Sequence, residues 1–384
     1  MPGSHCAGGV PVVKVRDIVD GRVEESDLLL AHPSVDDAYK RSRLIANDLL
    51  VTIRGTTGRV ALVPSRLNGA NITQDTARVR IKDGIDAAFL YFALQSEPLQ
   101  HQIALHTIGQ AVKGINIRDV RTLAIELPEA LVEQRAIAGA LSDVDALLEG
   151  LTRLIAKKRD LRQAAMQQLL TGQTRLPGFR GEWETTRLGD HVTFLRNGVN
   201  ARAELTEEGP VKYLHYGDVH ACRGTTLVPD GLPSLPSTKA SGLDRLEDGD
   251  LILADASEDL AGVCKSVEIR GVGTGEVVSG LHTIAARFEK DVLADGFKAY
   301  LQFCPPFAGH LRRLAAGTKV YATNRAHVAS VEMPLPAVDE QIAIAAVLSD
   351  MDAELSALEA RLEKTRALKQ AMMQELLTGR TRLV

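Results

Sequence analysis

The sequence predicts an α+β fold: two mixed α/β domains, each followed by a long helix, with the two helices pairing as an antiparallel coiled coil. Three observations predict it. A stretch near the middle of the chain recurs at its end. Both copies carry Leu and Ile at alternating steps of four and three. The segments before them hold short apolar runs punctuated by Gly and Pro.

The repeat comes first. Residues 133–176 align without a gap to residues 340–383 at an offset of 207 (340 − 133), with about 26 of 44 positions identical. A duplication is the only reasonable source. It divides the chain into a first domain (1–128), a first helical spacer (129–176), a second domain (177–336) and a second spacer (337–384). At 384 residues the chain is long enough for two domains with separate cores.

Each spacer is helical by pattern. In the first, Ile137, Leu141, Val144, Leu148, Leu151 and Ile155 form a seam; in the second, Ile344, Leu348, Met351, Leu355, Leu358 and Leu362 do. Such a seam is the a/d stripe of a coiled coil, narrower than the stripe of a core-packed helix. Gly172 and Gly379 follow the last turns as C-cap candidates, and Pro177 prevents continuation of the first helix. Roughly 40 residues give a helix of about 60 Å. Neither seam is complete alone, so each helix is expected to pair with the other. The competing reading is two surface helices lying on separate domains.

The domains correspond more loosely. Asp48-Leu-Leu-Val51 matches Asp250-Leu-Ile-Leu253, Gly109 to Lys113 matches Gly317 to Tyr321, and Leu127-Pro128 matches Leu335-Pro336. The helices have stayed alike while the domains diverged, which fits one scaffold carrying two specificities. The second half has a segment from Trp183 to Asp190 well before Pro210, whereas the first half reaches its equivalent proline at Pro11. The first domain is therefore expected to be shortened at its N-terminus by roughly 25–30 residues.

Composition narrows the class. The chain is 45% hydrophobic and 24% charged. No apolar run approaches the roughly 18 residues of a bilayer span, and the first residues have neither the basic start nor the apolar stretch of a secretory signal. A cytoplasmic protein with no membrane partner is expected. Cys6, Cys222, Cys264 and Cys304 lack the paired spacing of a zinc site, so they read as free thiols and no metal is expected. The net charge of −4 neither supports nor excludes a nucleic-acid partner.

Catalytic constellations are missing. Cys304-Pro-Pro-Phe307 has the outline of an amino-methyltransferase loop, but cysteine is a poor acceptor for a target amine and no cofactor glycine loop precedes it. A loop between helices is the better reading. Gly271-Val-Gly-Thr-Gly275 lacks the following Gly-Lys-(Ser/Thr) of a phosphate loop, so a glycine-rich hairpin is expected. No lysine has Asp or Glu two positions before it, which removes a common nuclease metal signature.

Other segments suit DNA. Arg54-Gly-Thr-Thr-Gly-Arg59 follows an apolar strand: its glycines permit close approach, Thr56 and Thr57 can meet phosphates or thymine methyls, and Arg54 and Arg59 can fork onto guanine. An ordinary hairpin turn is the alternative. Thr76, Arg78, Arg80 and Lys82 alternate on one strand face, which a solvated sheet surface would also explain. Lys14, Arg16 and Lys113 complete the candidates of the first half. In the second, Lys212, Tyr213, His215 and Tyr216 combine basic and aromatic groups, and Lys319, Tyr321, Asn324 and Arg325 precede the helix. Asp255-Ala-Ser257 stands where the first half has its basic loop, so Ser257 is a candidate with a different preference. The candidates fall at matching places in both halves.

These features together resemble the specificity subunit of type I restriction-modification systems. The matching residues are Leu127, Pro128, Glu133 and Gln134, their counterparts Leu335, Pro336, Glu340 and Gln341, the Ile/Leu heptads, and the exits from Gln167 to Gly172 and from Gln374 to Gly379. The resemblance covers nearly the whole chain. It implies two target-recognition domains reading the halves of a split site in double-stranded DNA, with paired helices fixing the spacer. It also implies two modification subunits docked on those helices and restriction/translocase subunits beyond them. S-adenosylmethionine, ATP and magnesium would belong to those partners, with no cofactor and no catalytic residue in this chain. The alternative is a non-catalytic coiled-coil interaction protein, a decayed orphan without DNA specificity.

Overall fold

The structure is a computed structural model that describes residues 5–110 and 112–383. It forms two compact units, one of residues 1–153 with 360–384, the other of residues 154–359. Each unit therefore takes one globular segment, part of the first long helix (Leu131–Leu169) and part of the second (Val338–Leu376). Both helices run 39 residues, close to the length the repeat predicts.

In the first unit, strand Val10–Val13 lies between Leu29–Ala31, antiparallel, and Asn71–Ile72, parallel. A second sheet places Leu49–Thr52 between Val60–Leu62 and Thr76–Val79, antiparallel on both sides. The central strand is an unbroken apolar run because both faces are covered. Leu50 joins Val13, Ile18 and Leu44 on one face; Leu49 and Val51 meet Leu90 and Leu94 of helix Ala87–Gln95 on the other. Asp86 caps that helix by accepting from the Ala88 and Phe89 amides.

Phe89 and Phe92 then pack on Ile137, Ala138 and Leu141 of the first long helix, on Leu376 of the second and on Leu377 just beyond it. Asp145 pairs with Lys369 at 2.6 Å, and Glu133 with Arg382. The partner number falls as the helix number rises, so these segments run antiparallel. Each fully buried leucine here contributes about 1.5–3 kcal/mol.

The second unit repeats the frame. Val211–Leu214 lies between Ser234–Leu235, antiparallel, and Glu276–Ser279, parallel. Leu251–Ala254 lies between Ser266–Ile269 and Thr283–Phe288, antiparallel on both sides. The register is the same in both copies: Leu49 opposes Val79 and Thr52 opposes Thr76, as Leu251 opposes Ala286 and Ala254 opposes Thr283. Met166 and Leu169 of the first long helix, with Leu170 just beyond it, share one core with Ile344, Ala345 and Leu348 of the second. Lys158 pairs with Glu354 at 2.7 Å and Arg162 with Asp352, again antiparallel.

Among the described residues, three strand pairings of the second unit have no counterpart in the first, one of them the parallel pairing of Thr226–Leu227 with Ser266–Ile269. Val192–Leu195 extends the large sheet beside Thr283–Phe288, and Glu184–Arg187 pairs with Glu332–Leu335. One expectation is corrected. Gly271 to Gly275 does not close a hairpin, because the strands it joins, Ser266–Ile269 and Glu276–Ser279, lie in different sheets. Its glycines let the chain cross between layers, with Gly271 and Gly273 at positive φ.

Candidate nucleic-acid interface

Each domain is fixed to its helix by the same three residues. Gln134 accepts from the Asp86 amide (2.8 Å) and donates to the carbonyls of Pro128 (2.8 Å) and Gly84 (3.2 Å). Gln341 accepts from the Ala294 amide (2.8 Å) and donates to the carbonyls of Pro336 and Val292, both at 2.9 Å. Beside them, Glu133 receives a fork from Arg382 and Glu340 receives one from Arg175. The arginines arrive from the helix exits, where Gly172 (φ 70°) and Gly379 (φ 68°) turn the chain in the left-handed conformation that favours glycine. The Arg382 guanidinium holds the Glu133 carboxyl below its ordinary range. Thus each unit is closed by its own helix start and by the exit of the other long helix.

On this common frame a surface corner differs between copies. It lies where the chain leaves the central strand of the sheet. In the first unit, the Gly55 amide donates to the Lys113 carbonyl (2.8 Å), and Arg54 and Ile108 bridge to Gly114. Arg54, Thr56 and Lys113 are exposed there, and Thr57, half-buried, lies 3.3 Å from the Thr107 hydroxyl. Arg54 is 3.8 Å from Asp75. In the second unit, Ala256 pairs with Ala322, and Ala316 bridges to Ala322. The same corner there presents Asp255 and His282, joined at 3.1 Å, with the Tyr216 ring packed edge-on against His282 and His220. His220 donates to the Ala256 carbonyl at 3.0 Å. His282 has a φ of 57°, unusual for a residue with a side chain.

The other candidates sit in varied surroundings. Lys14 precedes a 3-10 turn, its amide donating to Asp17 (2.8 Å), and Arg16 pairs with Asp27 (3.2 Å). Arg59 donates to the Ile18 carbonyl (2.9 Å), and half-buried Arg78 donates to the Arg43 carbonyl. Lys212 donates to the Leu232 carbonyl at 3.0 Å. Tyr213 is buried; its hydroxyl donates to the Asn200 carbonyl (3.0 Å) and accepts from the Leu281 amide (2.9 Å). His215 caps a short helix through its ring, and burial pushes its pKa down. Buried Ser257 accepts from the Asp259 amide (3.3 Å). Lys319 is exposed, and Tyr321 pairs through its backbone with Ser257. Asn324 caps helix Arg325–Ala329, while Arg325 donates to the Leu195 carbonyl (2.6 Å).

The seam residues pack within the chain. Ile137, Leu141 and Leu151 are buried in the first unit, with Val144 and Leu148 half-buried. Ile344, Leu348 and Leu355 are buried in the second, with Met351 and Leu358 half-buried. His220 and His282 were not singled out in the sequence, and Asp255 was named there only as the start of the segment Asp255-Ala-Ser257. Asp255 opens the segment that stands where Arg54 to Arg59 stand in the first half; the two histidines had no such signal. Among the described residues no cluster of His, Cys, Asp and Glu could hold a metal, and no helix is long and apolar enough to cross a membrane.

Comparison with known proteins places this architecture. Residues 7–157 match the type I restriction modification DNA specificity domain. The type I restriction enzyme EcoBI specificity subunit of Escherichia coli is 28% identical over 213 residues, covering 54% of this chain and 42% of that protein. The chain thus spans under half the length of that curated relative. A putative type I restriction enzyme MjaX specificity subunit of Methanocaldococcus jannaschii is 22% identical over 402 residues, covering 98% of this chain and 88% of that one. The crystal structure of the type I restriction-modification S subunit from M. genitalium shares the fold, with a TM-score of 0.60 at 17% identity over 98% of this chain and 90% of that one. In its matched domain and along its relatives, the chain is similar to type I restriction-modification specificity subunits.

Proposed function

We propose that this chain is the non-catalytic DNA-reading subunit of a type I restriction-modification complex. Each unit reads one half of a split site in double-stranded DNA, and modification subunits dock on the chain. S-adenosylmethionine, ATP and magnesium are carried by the partner subunits. One observation supports this above the rest. The two units share strand order, register and the Gln–Glu–Arg closure, yet differ at one surface corner: Arg54, Thr56 and Lys113 in the first unit, Asp255, Tyr216 and His282 in the second. Equal frames with unequal corners are what two readers of different base sequences need. Arginine forks onto guanine, whereas a carboxylate accepts from cytosine N4.

The test is reconstitution. The purified chain with its modification subunit should methylate a bipartite duplex, and the chain alone should not. Methylation of any duplex regardless of sequence, or activity of the chain alone, would overturn the proposal.

A further inference from the structure

One stretch is kept in both units although the side chains around it differ. In each, a helix (Glu97–His106, Pro305–Leu314) ends, the chain forms a narrow loop, and a short helix (Ile117–Val120, Arg325–Ala329) follows. Two backbone hydrogen bonds close the base of the loop. They join Ile108 and Gly114 in the first unit (2.8 and 2.9 Å) and Ala316 and Ala322 in the second (3.3 and 2.9 Å). The returning arm is held by the chain that leaves the central strand. The Gly55 amide donates to the Lys113 carbonyl, and the Thr323 amide to the Asp255 carbonyl, each at 2.8 Å. In both units the loop therefore stands beside the corner.

Aligned at an offset of 208 (317 − 109), residues 108–116 and 316–324 keep three identities: Gly109 with Gly317, Val112 with Val320, and Asn116 with Asn324. Two of the three have a reason inside the fold. The glycines have φ of 106° and 137°, and a Cβ on either would strike the carbonyl of the valine three residues on. The asparagines stand at the N-cap positions of the short helices. The valines have no such reason. Val112 is 63% exposed and Val320 53%, so neither fills a core. Each loop also presents an exposed lysine, Lys113 or Lys319.

An exposed apolar side chain on a loop so strictly shaped is suited to contact. What it touches must be common to both half-sites, because the corner groups beside it are not: Arg54 and Thr56 in one unit, Asp255 and His282 in the other. Duplexes of different sequence share their sugars and phosphates, and contacts there position a protein without reading bases. An apolar tip next to a lysine matches deoxyribose carbons next to a phosphate.

We propose that Val112 and Val320 are positioning residues. Each seats its unit against the sugar-phosphate wall of a groove, so that the unlike corners meet base edges at the same depth. The proposal rests on the reading of this chain as a DNA-binding subunit, and it makes one part of each interface indifferent to sequence.

The test uses the full chain with its modification subunits, on the duplex that the wild type selects. Val112→Ser and Val320→Ser should each weaken binding about tenfold, the equivalent of burying one valine. The words recovered from random duplexes should stay the same. Val112→Ile should keep the wild-type affinity, and thermal unfolding should not move in any of the three, since both side chains are exposed. Salt should weaken the serine variants as steeply as the wild type, whereas Lys113→Gln should reduce the salt slope by about one. Unchanged affinity in both serine variants would overturn the proposal. So would the loss of a single thymine from a recovered word, which would make the valine a base reader, or a fall in melting temperature without a change in affinity, which would assign it to the fold. A wild-type chain that recovers no word would remove the DNA reading and this proposal with it, and that result is seen before any variant is made.

Discussion

Replacing Gln341 with alanine should destabilise the second unit by about 3 kcal/mol, while Gln134→Ala should cost the first unit only about 1 kcal/mol. Both glutamines make the same three hydrogen bonds, so the difference comes from what they leave behind. Gln341→Ala strands the Ala294 amide, on a residue 2% exposed, and the carbonyl of buried Pro336. Each buried orphan costs roughly 1–3 kcal/mol. Gln134→Ala frees groups on half-buried Asp86 and Pro128 and exposed Gly84, which water can satisfy. The assay is urea unfolding. The single tryptophan, Trp183, donates to Glu340 at 3.3 Å and so reports the second unit's joint. Its midpoint should fall by about 1–1.5 M urea in Gln341→Ala. Amide exchange of residues 131–141 reports the first unit, where the loss should be about a third as large. Equal losses, or a Gln341→Ala cost under about 1 kcal/mol, would refute the view that burial of the anchored groups sets the strength of each joint.

Three further expectations follow from the same geometry. Glu133 has a folded-state pKa below its ordinary 4.5, chiefly because of the Arg382 hydrogen bonds. Its contribution is therefore present above pH 4.5 and lost as pH falls through the folded value, so the first unit should weaken more steeply in acid than the Glu133→Gln variant does, by amide exchange against pH. Arg54→Ala should weaken DNA binding by about 1–3 kcal/mol without changing stability, whereas Arg78→Ala should lower stability, measured by fluorescence anisotropy beside thermal unfolding. Burial pushes the Cys304 thiol up to about 12 and raises that of Cys264, so thiol titration of the native chain should find only Cys6 and Cys222, and of the unfolded chain all four.

Much of this architecture was legible in the sequence because it rests on periodicity. A seam stepping by four and three can satisfy itself only on a helix, and the exit glycines Gly172 and Gly379 mark where each helix ends. The apolar runs after Asp48 and Asp250 read as strands from their composition, and the structure makes each the central strand of its sheet. The corner was less legible, because basic and aromatic residues serve interiors as readily as surfaces. Tyr213 looks like a reader's aromatic, yet its hydroxyl ties Asn200 to Leu281 inside the fold. Arg325 looks like a phosphate contact, yet it holds the Leu195 carbonyl and the Asn197 side chain. His282 carries no local motif at all; only the left-handed backbone at the start of its strand brings it to Asp255 and Tyr216. The closure of each unit by the other helix's arginine is likewise a long-range pairing, 249 residues apart for Glu133 and Arg382, which no local pattern encodes.

The central claim is that two unlike readers share one frame. Selection from a pool of random duplexes by the full chain, with its modification subunits present, tests it most directly. Two different short words separated by a constant unspecified gap should be enriched, and exchanging Arg54 for alanine should relax only one of them. Enrichment of a single continuous word, of two identical words, or of none would contradict the account.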